Sequence, residues 1–143
     1  MRAPRRAGAV LAVVLAAGSL AGTGAAGDVA FADANADGFV ALCDRAGHTV
    51  TSGSVLDAPF VWTSVSSTPA PEGYADGKAT LFAFQPRRGV DPGLWSGAQL
   101  TGSSRFTNAA HPMAQATNAD VPLVSFVQQY PPAWDGLVQL RIY

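Results

Sequence analysis

The sequence predicts an all-β domain, an antiparallel β-sandwich of about seven strands. Three observations predict it. Beyond the N-terminal segment the apolar runs are short, they are rich in Val, Phe, Trp and Thr, and clusters of Gly, Pro, Ser and Asp separate them. Strands are expected at Phe39–Cys43, His48–Thr51, Phe60–Ser66, Ala79–Gln85, Ala98–Ser103, Leu123–Gln128 and Leu137–Ile142.

Each element has its own reason. FVALC is an uninterrupted apolar run that stops at Asp44-Arg45-Ala46-Gly47, a type I turn with Asp first and Gly fourth, and His48–Thr51 returns antiparallel to it. Phe60–Ser66 is aromatic and β-branched, with Trp62 inside it read as core. Ala79–Gln85 (ATLFAFQ) lacks alternation, so it should be covered on both faces or lie centrally. Ala98–Ser103 and Leu123–Gln128 are short runs bounded by turn residues. Leu137–Ile142 is the clearest strand: Val138, Leu140 and Ile142 alternate with Gln139 and Arg141, which predicts one buried face and one wet face. Pro112–Thr117 is the helical candidate, since Pro suits a first helical position and Ala, Met and Gln follow it.

The N-terminus reads as an export signal. Arg2, Arg5 and Arg6 form a basic leader, and Ala7 to Leu20 is an uncharged apolar run, too short to span a bilayer. Small residues offer cleavage after Ala25 or, closer to the Ala-x-Ala rule, after Ala32. Residues 1–32 are therefore assigned to a signal peptide and 33–143 to one domain, and the product is expected to be secreted, extracellular or cell-wall associated. No second hydrophobic span follows. The last strand runs out at Tyr143 with no turn after it, which suggests a chain that continues.

About 111 residues then remain, enough for one modest core. Their basic side chains are outnumbered by carboxylates, for a net charge of about −3, which argues against a nucleic-acid or anionic-membrane partner. One cysteine makes no internal disulfide, and Cys43, inside FVALC, is expected to be buried and unpaired.

One motif invites a metal. In DANADGFVALCD, Asp33, Asn35, Asp37 and Asp44 place oxygen-bearing side chains at the first, third, fifth and twelfth positions, with Gly38 at the sixth. It resembles the calcium loop of EF-hands, and of dockerin modules above all, over these twelve residues. The resemblance implies a calcium ion held by the alternate carboxylates, the Phe39 carbonyl and Asp44. Both families follow the loop with a helix, whereas Gly47, Thr49, Val50 and Thr51 favour a strand, and the duplicate loop of a dockerin is absent. The hairpin is the reading adopted: Asp44 accepts from the turn backbone, and no cofactor is expected.

No catalytic residues are expected. His48 and His111 lack metal-binding spacing, no G-x-S-x-G elbow surrounds Ser96, and Glu72 is the single glutamate, in a Pro- and Gly-rich loop. Subtraction leaves the aromatics. Trp95 after Asp91-Pro92-Gly93, and Trp134 beside Pro132 and Asp135-Gly136, belong to loops, with Tyr130 stiffened by Pro131-Pro132; all three are candidate partner-binding residues. The competing reading makes each loop tryptophan a cap on the core.

The strand pattern resembles the immunoglobulin-like class, without the paired cysteines around a tryptophan that mark antibody domains. Together with the leader, the excess of Arg over Lys and the density of Ala and Gly, it is similar to secreted actinobacterial proteins that carry such domains. The resemblance implies a non-catalytic surface or extracellular domain that binds a partner, an extracellular protein or a cell-wall glycan, through end loops. A polysaccharide-binding module and a small secreted hydrolase are the alternatives.

Overall fold

The computed structural model describes residues 9–14 and 38–143. The proposed cleavage sites and Asp33, Asn35 and Asp37 of the calcium-like loop lie outside the described residues. What is described is mostly strand in antiparallel sheets with one short α-helix.

The strands are β1 (Ala9–Val14), β2 (Val40–Cys43), β3 (Thr63–Ser66), β4 (Lys78–Ala79), β5 (Leu81–Phe84), β6 (Gly97–Gln99), β7 (Ser104–Arg105), β8 (Met113–Gln115) and β9 (Leu137–Ile142), with helix α1 at Leu123–Gln129. They form a sheet in the order β1-β9-β5-β6, a second in the order β2-β3-β8, and a small β4-β7 pair. Strand β1 falls inside the apolar run assigned to the leader.

The register explains the core. Ala83 lies opposite Leu140 and Leu81 opposite Ile142, so these side chains share one face of the first sheet. In the second sheet Leu42 pairs with Ser64 and Ser64 with Ala114. These inner faces, with Val40, Leu100, Phe106, Leu123 and Phe126, make one buried cluster. Cys43 is buried and unpaired at the end of β2.

The first hairpin turns where the sequence places it. Gly47 donates to the Asp44 carbonyl at 3.1 Å and holds φ +86°, a left-handed conformation that glycine adopts without a Cβ clash. The return, expected as a strand over His48–Thr51, is reduced to one bridge between Cys43 and Thr49. Residues 51–54 are all exposed, and no apolar face there gives the pairing anything to bury.

Ala79–Gln85 is broken at Thr80, and Ala98–Ser103 is broken after Gln99. Both chains change sheet at the break: β4 pairs with β7, and β5 pairs with β6 and β9. The crossing is sealed by the Thr80 and Ser103 hydroxyls, 2.8 Å apart, and by the Leu81 amide donating to Thr101 Oγ1 at 3.0 Å. β5 is central in its sheet, with β9 on one side and β6 on the other.

Two expectations exchange places. Leu123–Gln128 is helical rather than a strand, because Leu123, Phe126, Val127 and Tyr130 recur at helical spacing and turn inward together. Pro112–Thr117 contains a strand rather than a helix, because Met113–Gln115 pairs with β3 and buries Ala114 between two less buried neighbours. Trp62 is also corrected: it precedes β3, is half-buried with the Arg45 guanidinium 4.8 Å from its ring centroid, and leaves the core position to Val61.

The wet face of Leu137–Ile142 is not wet. All six residues are buried, Gln139 and Arg141 included. They lie on the outer face of the first sheet, opposite Phe84 and Phe82, where Arg141 bonds Gln139 and reaches the Pro92 carbonyl of a loop.

Candidate functional site

The antiparallel pairing of β5 with β9 brings the end of β5, the start of β6 and the start of β9 to one end of the first sheet. Two loops meet there, residues 85–96 and 130–136. The Gln85 side-chain amide donates to the Pro131 carbonyl and so ties one loop to the other.

The first loop is braced internally. The Val90 amide donates to the Arg87 carbonyl at 3.2 Å around Gly89, whose φ of +73° again suits a residue without Cβ. Asp91 Oδ1 accepts from the Gly93 amide at 2.7 Å and caps a single 3₁₀ turn, Pro92–Leu94. Arg87 donates to the Leu94 carbonyl at 2.7 Å, and Leu94 itself stands 70 % exposed.

Trp95 follows that turn and is 6 % exposed. Its indole N–H donates to the Val90 carbonyl at 2.9 Å, and the Arg141 guanidinium lies 5.7 Å from its ring. Trp95 thus plugs the outer face of the sheet, as the capping alternative requires.

The second loop leaves α1 at Tyr130, whose half-buried ring lies 5.2 Å from Phe126. It then turns at Asp135-Gly136, with φ of 50° and 72°, and closes by the Leu137 amide donating to the Trp134 carbonyl at 2.9 Å. Two consecutive left-handed residues suit the Asp-Gly pair at the centre of a type I′ turn. Trp134 is half-buried, with the Arg88 guanidinium 5.3 Å from its ring centroid and 3.6 Å from the Asp135 carboxylate. Both charges are largely exposed, so this pair positions the guanidinium more than it stabilises the fold.

Beside this end lies an aromatic cluster that the sequence pattern does not reveal. Phe82 and Phe84 stack at 6.4 Å, and Tyr143 meets them edge-on at 5.4 and 6.3 Å. Arg141 lies 4.1 Å from the Phe84 centroid and is held in place by three bonds: to Gln139 Oε1 at 2.6 Å, to the Tyr143 hydroxyl at 3.2 Å and to the Pro92 carbonyl at 3.0 Å. The signal for it is the shared parity of Phe82 and Phe84 with Arg141 and Gln139, visible only once β5 and β9 are in register.

The remaining candidates are engaged locally. Asp44 Oδ1 accepts from the Ala46 and His48 amides, both at 2.9 Å, and its Oδ2 lies 3.3 Å from His48 Nδ1. These bonds, the His48 amide first, hold its carboxyl below the usual carboxylate range. His111 Nδ1 lies 3.2 Å from the Ser66 carbonyl. Among the described residues no group of three or more His, Cys, Asp or Glu is placed to hold a metal ion, and no helix is long and apolar enough to cross a membrane.

The chain matches no family model, no curated protein and no solved structure.

Proposed function

We propose that the chain is an exported, non-catalytic β-sandwich of immunoglobulin-like arrangement, of the kind secreted by actinobacteria, that binds an extracellular protein through the paired end loops. One observation carries the reading: loops 85–96 and 130–136 are tied together by Gln85, and the joined surface presents Leu94, Arg88, Trp134 and Asp135. An exposed aliphatic side chain in one loop, together with a tryptophan of the other loop covered by an arginine, is the chemistry of a protein contact. A glycan surface would need flat, uncovered rings, and here Trp95 is buried while Arg88 stands over Trp134. The immunoglobulin-like arrangement is supported by two antiparallel sheets contributing their inner faces to one core.

The test is capture of partners from the surface of the source bacterium by immobilised protein, in parallel with binding to its purified wall polymers. Arg88→Ala and Trp134→Ala are expected to remain folded and to lose most of the captured protein. Retention by wall polymer that survives both substitutions, or unchanged protein capture, would refute the reading.

A further inference from the structure

We propose that the outer edge of β9 is a self-association surface, which pairs antiparallel with the β9 edge of a second copy of this chain once Ala9–Val14 has been cut away. The inference rests on the export reading above, because removal of the leader is what uncovers the edge.

The backbone shows which groups are on offer. Thr80 and Tyr143 exchange both of their backbone bonds, at 2.8 and 3.0 Å. In an antiparallel ladder such exchanging pairs recur at every second residue, so Arg141 and Gln139 also direct their N–H and C=O toward β5. Val138, Leu140 and Ile142 then direct theirs to the opposite edge. There β1 takes them, in a register running from Ala9 opposite Ile142 to Val14 opposite Leu137. Cleavage at either site in the leader removes β1 entire and leaves the three residues unpaired.

Edge strands of exported proteins are ordinarily guarded by proline, lysine, a bulge or a covering loop. β9 (LVQLRI) contains neither proline nor lysine and pairs without a bulge. Its one charge is no guard, since the Arg141 guanidinium is turned away from that edge onto Phe84, Gln139 and Pro92. The edge is therefore open to a strand of the same character as β1: uncharged, aliphatic and antiparallel.

β9 is such a strand. Two copies related by a twofold axis at Leu140 place Leu140 opposite Leu140, Val138 opposite Ile142 and Gln139 opposite Arg141 of the second copy. The outward-directed residues meet outward-directed residues, as an exchanging ladder requires, and the two arginines do not face each other. The result is one continuous sheet, β6-β5-β9 of one copy joined to β9-β5-β6 of the other, with an isologous interface.

The experiment uses the full chain, expressed in a secreting bacterium with its own leader and recovered from the fraction it reaches. Mass spectrometry of the intact product locates its N-terminus, light scattering on a sizing column gives its mass, and residue-resolved amide exchange reads the edge. Expected are an N-terminus beyond Val14, a dimer, and protection at Val138, Leu140 and Ile142 equal to that at Gln139 and Arg141. A processed monomer overturns the proposal. So does a processed dimer in which those three amides exchange fast, since its interface lies elsewhere. A product that keeps Ala9–Val14 also overturns it, and the N-terminal mass then identifies the export reading as the step that failed.

Discussion

Arg141 and Phe84 form the tightest cation–π contact among the described residues, with the guanidinium carbon 4.1 Å from the ring centroid and the arginine almost fully buried. A guanidinium this far from water needs its donors satisfied, and Gln139, Tyr143 and Pro92 supply acceptors from one strand and one distant loop. The pair fastens the 3₁₀ turn at Pro92 to the sheet.

Arg141→Ala is accordingly expected to lower stability by about 2–4 kcal/mol, because it strips Gln139 Oε1 of its donor as well as removing the contact. Arg141→Lys should recover little, since one ammonium cannot reach three acceptors in a plane while lying on a ring. Urea titration of both variants checks this, and equal stability of Lys and Arg would show that charge alone matters there.

The two loop tryptophans should behave differently. Trp95→Ala empties a buried site and is expected to cost about 3–5 kcal/mol. Trp134→Ala, at a half-buried position, should cost about 1–2 kcal/mol. Thermal melts of the two variants distinguish them, and comparable losses would mean that Trp134 is a core plug as well.

Asp44 gives the first hairpin a pH dependence. Its carboxyl is held below the usual range in the folded chain, so its contribution is full above the unfolded value and is lost as pH falls through the lowered folded value. Asp44→Asn should melt a few degrees lower near neutral pH and show a shallower loss on acidification. Because the same carboxylate already accepts two amides, calcium should leave the melting temperature of the wild type unchanged. A rise with calcium that Asp44→Asn abolishes would restore the metal loop.

Gly97 is fixed by Phe84. A Cβ at that position would meet the ring at 2.4 Å and the Ala83 carbonyl oxygen at 2.9 Å. Gly97→Ala should therefore destabilise by about 1–3 kcal/mol by displacing the ring from beneath Arg141. A fluorescence-monitored denaturation, read through the nearby Trp95, follows both the stability and the local rearrangement.

What could be read in advance depended on how local the cause was. The turn at Asp44–Gly47 is written in four consecutive residues, and Val40–Cys43 and Leu137–Ile142 in uninterrupted or alternating apolar runs, so these are legible. The helix at Leu123–Gln129 is equally local, but a short apolar run between turn residues fits a strand as well, and only the spacing of Leu123, Phe126, Val127 and Tyr130 separates the two. Burial of Gln139 and Arg141 was not legible at all: Arg141 lies against Phe84, Pro92 and Trp95 and bonds Gln139, neighbours brought near only by strand register and loop closure. For the same reason the sequence places Trp95 and Trp134 in loops but does not show that Gln85 ties those loops together, nor that Arg141 and Val90 claim Trp95.

The crossing at Thr80 and Thr101, where two neighbouring segments leave one sheet and enter another together, has a mechanical consequence. Covalent backbone, and not side-chain packing alone, joins the first sheet to the β4-β7 pair at that corner, and the hydroxyl pair of Thr80 and Ser103 holds the two segments abreast. The β4-β7 pair cannot peel from the first sheet without straining the ladder on both sides of the corner. Tension applied to the β4-β7 pair is therefore carried straight into the first sheet, and these two parts should yield to force together.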